Sequence, residues 1–263
     1  MSGSAQGTQT VAGVGGAPAA AAERGVALVT GSSTGIGRVV CEHLLAQGYE
    51  VVALSRRPTD IDHARLHSIR VDLADRAATM QAARDVAQRF AVTTFVHNAG
   101  IIRPALLADV ELGDLDALTE IHLGSAITLA QAVLPAMRRQ AFGRIVLLSS
   151  RGALGLATRS AYSATKAGLI GMARTWALEL APAGITVNVV APGPIRGTEM
   201  FHEVVPADSE RERKLAEAIP VKRLGTPEDV ARAVDFFVHP GSGFVTGQVL
   251  YVCGGASVGS VTI

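Results

Sequence analysis

Residues 26–37 read Val-Ala-Leu-Val-Thr-Gly-Ser-Ser-Thr-Gly-Ile-Gly. Val26 to Thr30 is a short apolar run of the kind that a strand buried on both faces shows. Gly31, Gly35 and Gly37 follow at once. Behind them Val39, Val40, Leu44 and Leu45 fall at the spacing of one helix face. Strand, glycine turn and helix in that order is the setting a dinucleotide site needs. Glycines let the backbone approach a pyrophosphate closely, and the helix N-terminus offers unpaired N–H groups and positive potential. The spacing is G-x-x-x-G-x-G, not the commoner G-x-G-x-x-G. The turn nominates Gly31, Ser33, Thr34, Gly35, Ile36 and Gly37 as cofactor residues.

Outward from that turn, strands and helices alternate. Glu50 to Leu54 reads as the second strand and ends in Ser55-Arg56-Arg57-Pro58. A ribose 2′-hydroxyl is held by an acidic residue at this point, whereas a 2′-phosphate prefers a basic one. No carboxylate stands here, and arginine matches phosphate by its bidentate fork. Ser55, Arg56 and Arg57 therefore favour NADP, with NAD as the alternative. Ser68 to Val71 is a third strand followed by Asp72-Leu73, which borders the adenine in this architecture. Residues 75–90 read as a helix. Thr94 to His97 is a fourth strand, ending in the tight turn Asn98-Ala99-Gly100.

Residues 114–140 form a long helical stretch containing His122. Gly143 to Leu148 is a fifth strand, tipped by Ser149-Ser150. A helix over about 160–181 carries Tyr162 and Lys166. Spaced by four, these two share a helix face, and an ammonium there favours tyrosinate. A tyrosine tuned that way exchanges protons with a substrate oxygen near neutral pH. Ile185 to Val190 is a sixth strand, running into Pro192-Gly193-Pro194. Residues 194–220 look like an irregular, charge-rich insertion. Pro227 opens a last helix, and Gln248 to Val252 is a seventh strand before Gly254-Gly255. The alternation implies an α/β fold, a Rossmann-type doubly wound parallel sheet with right-handed crossovers, in a single domain over 25–263.

The bulk numbers agree with that frame. The 263 residues suit one large domain, and 48% hydrophobic against 18% charged supplies a sizeable core. A net charge of +1 gives no overall field for nucleic acid or an anionic membrane. Two cysteines, Cys41 and Cys253, make neither a disulfide framework nor a metal spacing, which is simplest for a reduced, cytoplasmic protein without metal. No continuous apolar run reaches the roughly 20 residues of a membrane helix. Residues 1–24, rich in Ala, Gly, Ser and Thr, read as a flexible tail rather than a secretory signal.

Six motifs in order make the chain resemble the short-chain dehydrogenase/reductase family over about residues 25–258. They are Thr30-Gly31-x-x-x-Gly35-Ile36-Gly37, Asn98-Ala99-Gly100, the serine strand end, Tyr162-x-x-x-Lys166, Asn188 with Pro192-Gly193, and Thr246-Gly247-Gln248 before Gly254-Gly255. Within it the chain looks most like bacterial 3-oxoacyl-acyl-carrier-protein reductases and related carbonyl reductases. The resemblance implies strand order 3-2-1-4-5-6-7 and interconversion of a ketone and a secondary alcohol by hydride transfer. It implies Tyr162 as general acid or base. Lys166 would lower the tyrosine pKa and hold the nicotinamide ribose, and a serine would bond the substrate oxygen. It adds Asn98, Ala99, Gly100, Pro192, Gly193, Ile195 and Thr198 to the cofactor residues. A homotetramer is also implied.

Three departures from the family pattern stand out. Family spacing back from the tyrosine selects Ser149, while counting along the strand selects Ser150. Loops absorb a deletion more readily than strands, which favours Ser150. His122 stands where the family has an asparagine in a distorted helix that helps hold a relay water. It reads either as a titrating replacement or as a histidine without a chemical job. His97 replaces the first asparagine of Asn-Asn-Ala-Gly. Arg151, after the serines, faces either an acidic substrate or neighbouring backbone. Pocket walls are expected from Ile101, Ile102, Leu154, Leu156 and a lid over 194–220. The competing readings are an NAD-linked alcohol dehydrogenase and a weakly catalytic cofactor-binding or redox-sensing protein.

Overall fold

The computed structural model describes residues 24–258. The tail reading over residues 1–24 falls, but for Arg24, outside them. Seven parallel strands form one sheet in the order β3-β2-β1-β4-β5-β6-β7. They are β1 (Val26–Thr30), β2 (Glu50–Ser55), β3 (Leu66–Arg70), β4 (Val92–His97), β5 (Gly143–Leu148), β6 (Ile185–Pro192) and β7 (Val249–Val252). Every residue of β4, β5 and β6 is buried, as a strand covered on both faces must be.

Alternation sorts the side chains to two cores. Leu28, Val52, Leu54, Phe95, Ile145 and Leu147 face one way, onto α2 (Arg76–Arg89), α4 (Ser125–Arg139) and α5 (Ser160–Leu180). Ala27, Val29, Val51, Ala53, Val96 and Val146 face the other, onto α1 (Gly35–Ala46) and α8 (Pro227–Val238). Each large side chain buried this way is worth roughly 1.5–3 kcal/mol. The last helix starts on a capping box: Thr226 and Asp229 satisfy each other's backbone N–H, with Pro227 at its first position.

Two expectations change. The helical stretch over 114–140 is a composite: α3 (Leu112–Thr119), a π turn (Glu120–Gly124), then α4. The widened turn frees carbonyls, and Ser125 Oγ recovers one by donating to Ile121 O at 2.6 Å. Leu112–Arg139 is long and apolar enough, by length and composition, to cross a membrane. Here Leu129, Val133 and Met137 go into the sheet's core. The segment 194–220 is not irregular. It holds α6 (Glu199–His202) and α7 (Glu210–Ala218), capped by Thr198 and Ser209. Phe201, Val205, Ile219 and Leu224 give it a small core of its own. The missed signal is Ser209-x-x-Glu212, a helix-start pattern in which Glu212 Oε2 accepts from Asp208 N.

Candidate active site

The glycine turn is built from both sides. Gly31 and Gly35 have φ of 65° and 55°, the left-handed region that favours glycine. A Cβ on Gly31 would stand 2.9 Å from Ala99 Cα and from Asn98 Nδ2, and one on Gly37 would collide with the Gly31 carbonyl oxygen. Asn98 Nδ2 donates to Thr30 O (3.2 Å) and Gly31 O (3.0 Å), while Thr30 Oγ1 accepts from the N–H of Asn98 and of Ala99 at 3.0 Å. Asn98 and Ala99 thus brace the cradle. Thr34 caps α1 without a side-chain bond, and no acidic residue sits in its first turn. An uncapped helix start over close-packed glycines fits a pyrophosphate.

At the ribose end Ser55 is buried, its Oγ donating to Arg57 O at 2.5 Å. Arg56 is exposed, with no hydrogen bond or ion pair among the described residues. Arg57 is engaged: its Nη2 donates to both carboxylate oxygens of Glu199 at 2.7 Å. The sequence reading missed Glu199, because nothing local links residues 142 positions apart. Asp72 turns back on its own loop, accepting from Ala74 N at 3.0 Å, and the Leu73 side chain enters the core rather than the groove.

Tyr162 and Lys166 lie on one face of α5, both buried. Lys166 Nζ donates to Leu148 O at 2.7 Å and sits 5.8 Å from the centroid of the Tyr162 ring. Ser149 points inward, its Oγ donating to Lys166 O at 2.7 Å. Ser150 lies on the tyrosine side: its Oγ accepts from Gly152 N at 2.9 Å, and a Cβ on Gly152 would meet Ser150 Oγ at 3.2 Å and Tyr162 Cε1 at 3.3 Å. The electrostatics correct one expectation. Burial raises the Tyr162 pKa, and a hydrogen bond from Ser150 and the charge of Arg159 pull it back in part. Burial drives the Lys166 amine itself down to about 7.

Arg159 is a second residue the sequence reading passed over. It is the residue before α5, where an oxygen-bearing cap is preferred, and an arginine there was the available signal. Arg151 is half-buried and makes no hydrogen bond or ion pair among the described residues.

His122 is fully buried in the π turn, edge-on to the Tyr162 ring at 5.7 Å between centroids. Thr165 Oγ1 donates to the carbonyl of Ala161 or Tyr162, so it accepts from His122 Nδ1–H at 2.8 Å. Ile101 N–H donates to Nε2 at 3.3 Å. Burial first, then the charges of Lys166 and His97, hold the ring well below its ordinary pKa. The titrating reading therefore does not fit: a neutral ring with both nitrogens engaged is a brace. His97, also buried, sits with its Nδ1 3.1 Å from Thr30 Oγ1 and is pushed down to about 3 by burial.

Ile101, Ile102, Leu115 and Met200, the last from α6, pack against the cluster of Leu118, Ala161 and Tyr162. Leu154 and Leu156, expected in this wall, stand exposed. Of the remaining cofactor candidates, Gly100 lies against His122, where a Cβ would come 2.8 Å from Nε2. Pro192 ends β6, and Gly193 packs on Cys253. The Ile195 side chain enters the core under α8. Thr198 caps α6 and lies over Gly35, 3.2 Å from where its Cβ would be.

Comparison with known proteins extends this picture. Residues 31–257 match a family model described as enoyl-(acyl carrier protein) reductase. A (2S)-((R)-hydroxy(phenyl)methyl)succinyl-CoA dehydrogenase subunit of Thauera aromatica is 38% identical over 243 residues, covering 89% of this chain and 96% of that protein. The 3-oxoacyl-acyl-carrier-protein reductase of Escherichia coli is 36% identical over 238 residues, covering 88% and 96%. A Beutenbergia cavernae protein assigned as an NAD(P)-dependent gluconate 5-dehydrogenase, solved with NADP bound at low occupancy, superposes with a TM-score of 0.81. It is 31% identical and covers 90% of this chain and 98% of that one. With the sheet order, the glycine cradle and these likenesses together, the chain belongs to the short-chain dehydrogenase/reductase family of NAD(P)-dependent oxidoreductases.

Proposed function

We propose that the protein reduces a ketone to a secondary alcohol with NADPH, using Tyr162 as the proton donor. One observation carries this reading: the Ser150 and Tyr162 side chains come together beside Gly152, next to a small apolar cluster that includes Ile101, Ile102 and Met200. The cofactor supplies the hydride. Tyr162, its pKa raised by burial, is protonated at neutral pH, as a group giving its proton to a carbonyl oxygen must be. Ser150 orients that oxygen. Lys166 holds the nicotinamide ribose hydroxyls, and the apolar wall keeps bulk water from the proton in transit. His122 acts as a positioning residue through Thr165, which bonds the carbonyl of Ala161 or Tyr162. The exposed guanidinium of Arg56 supports a 2′-phosphate. The pairing of Arg57 with Glu199 favours the second reading, NAD-linked alcohol oxidation.

The test is a panel of ketones and diketones offered to the purified protein with NADPH or NADH, beside Tyr162→Phe. Turnover with NADPH, lowered roughly 10²- to 10⁴-fold in the variant, is expected. Activity indifferent to the substitution removes Tyr162 from its role. A preference for NADH overturns the cofactor assignment. Cofactor binding without turnover of any carbonyl leaves the cofactor-binding protein.

A further inference from the structure

We propose that Arg159 forms an anion subsite beside Tyr162, so that the carbonyl substrate carries a carboxylate. The inference deepens the carbonyl-reductase reading and rests on it.

Arg159 is 8% exposed and immediately precedes α5, one helical turn ahead of Tyr162. A buried guanidinium ordinarily finds a carboxylate. Arg144, the other buried arginine at 3% exposed, instead reaches the carbonyls of Gly143, Gly184 and Pro240; Arg159 has neither a carboxylate nor such a set of carbonyls among the described residues. Its Nη1 bonds only the preceding residue, Thr158 O at 3.1 Å and Thr158 Oγ1 at 2.5 Å. Its Nε is buried with no partner, and its Nη2 makes no hydrogen bond among the described residues.

The residue that grips it is strained. Thr158 has φ of 65°, a conformation that is a true outlier for a β-branched side chain. Ala105 N–H donates to its carbonyl at 3.0 Å, and the isolated bridge from Ala105 to Arg159 holds the loop in place. Strain of this kind persists where the surroundings over-determine it, and it clusters at binding sites. Here it fixes the backbone that carries Arg159 into α5, one turn ahead of Tyr162. Burial raises the Tyr162 pKa and the charge of Arg159 works against that rise; burial lowers the Arg159 pKa, with a smaller contribution from Arg211 of α7. A buried guanidinium with unpartnered N–H donors is what a carboxylate satisfies, through paired N–H donors from one face of the fork.

The experiment compares 2-oxobutanoate, 3-oxobutanoate and 4-oxopentanoate with their methyl esters, using NADPH, in wild type, Arg159→Gln and Arg159→Lys. At least one acid is expected to exceed its ester in kcat/KM. Arg159→Gln should cut kcat/KM for that acid roughly 10- to 100-fold and for the ester less than about 3-fold. Arg159→Lys keeps the charge but loses the fork, and should retain part of the preference. An acid-to-ester ratio that is the same in wild type and Arg159→Gln overturns the subsite. If nothing is turned over, calorimetric titration of 4-oxopentanoate into the NADP-loaded protein decides. Binding in wild type that Arg159→Gln abolishes upholds the subsite while refuting reduction; binding in neither overturns it.

Discussion

At the Tyr162 end of the groove, His122, Ser149, Thr165 and Lys166 are at most 4% exposed, and each side chain is tied to backbone or to its neighbour. At the ribose end, the side chains of Arg57 and Glu199 are 59% and 58% exposed and hold only one another. The Tyr162 end sits where water is excluded, so each polar atom must be satisfied from within and pKa values move far. The Arg57 end sits where water screens, so an ion pair there is worth about 0–1 kcal/mol and can be exchanged. One end is built to keep its geometry and the other to trade partners.

Lys166 gives the largest contrast. Its pKa in the folded protein is depressed to about 7 from 10.5, so the unfolded chain binds the extra proton between those values. Stability should therefore rise as pH climbs from about 7 towards 10, by an amount on the order of 3–5 kcal/mol. Lys166→Met should lose that slope, read from urea unfolding midpoints across the range. Parallel slopes in the two proteins would break the claim that burial governs this end.

His122→Ala is expected to cost about 2–4 kcal/mol. It opens a cavity in the π turn and leaves the Ile101 N–H without its acceptor. It should also lower kcat more than it raises KM, because Tyr162 loses its edge-on neighbour. A loss of under half a kcal/mol would mean the turn stands without its brace.

Glu199→Gln should have the smallest effect and the opposite sign. Releasing Arg57 and removing a like charge from beside a 2′-phosphate should tighten NADPH binding about 2- to 5-fold at low salt, with NADH unchanged. Fluorescence titration of both cofactors reads this directly. Equal changes for the two would show that the pair does not discriminate between them.

The contrast also marks what the sequence makes legible. Val26 to Gly37 announces its strand, turn and helix because the signal is local: apolar period, glycine spacing, helix stripe. Tyr162 and Lys166 are readable for the same reason, being four apart on one helix. The direction of the Lys166 amine is not, since Leu148, whose carbonyl receives it, is on β5. Ser149 and Ser150 look alike in the chain, and only the sheet's alternation sends one to the interior and the other to the tyrosine. The two lid helices lay hidden because charge-rich composition masked the caps at Thr198 and Ser209.

By itself the sequence determined the alternation of strands and helices, the glycine cradle, and which side chains are candidates for the chemistry, because periodicity and short-range spacing are properties of neighbouring residues. Tertiary structure alone decided the charge each of those groups holds and the company it keeps: a Lys166 amine near neutrality, a His122 locked uncharged, Arg57 lent to Glu199, and Arg159 beside Tyr162 without a carboxylate. Burial and long-range pairing set protonation, and both exist only once distant segments have come together.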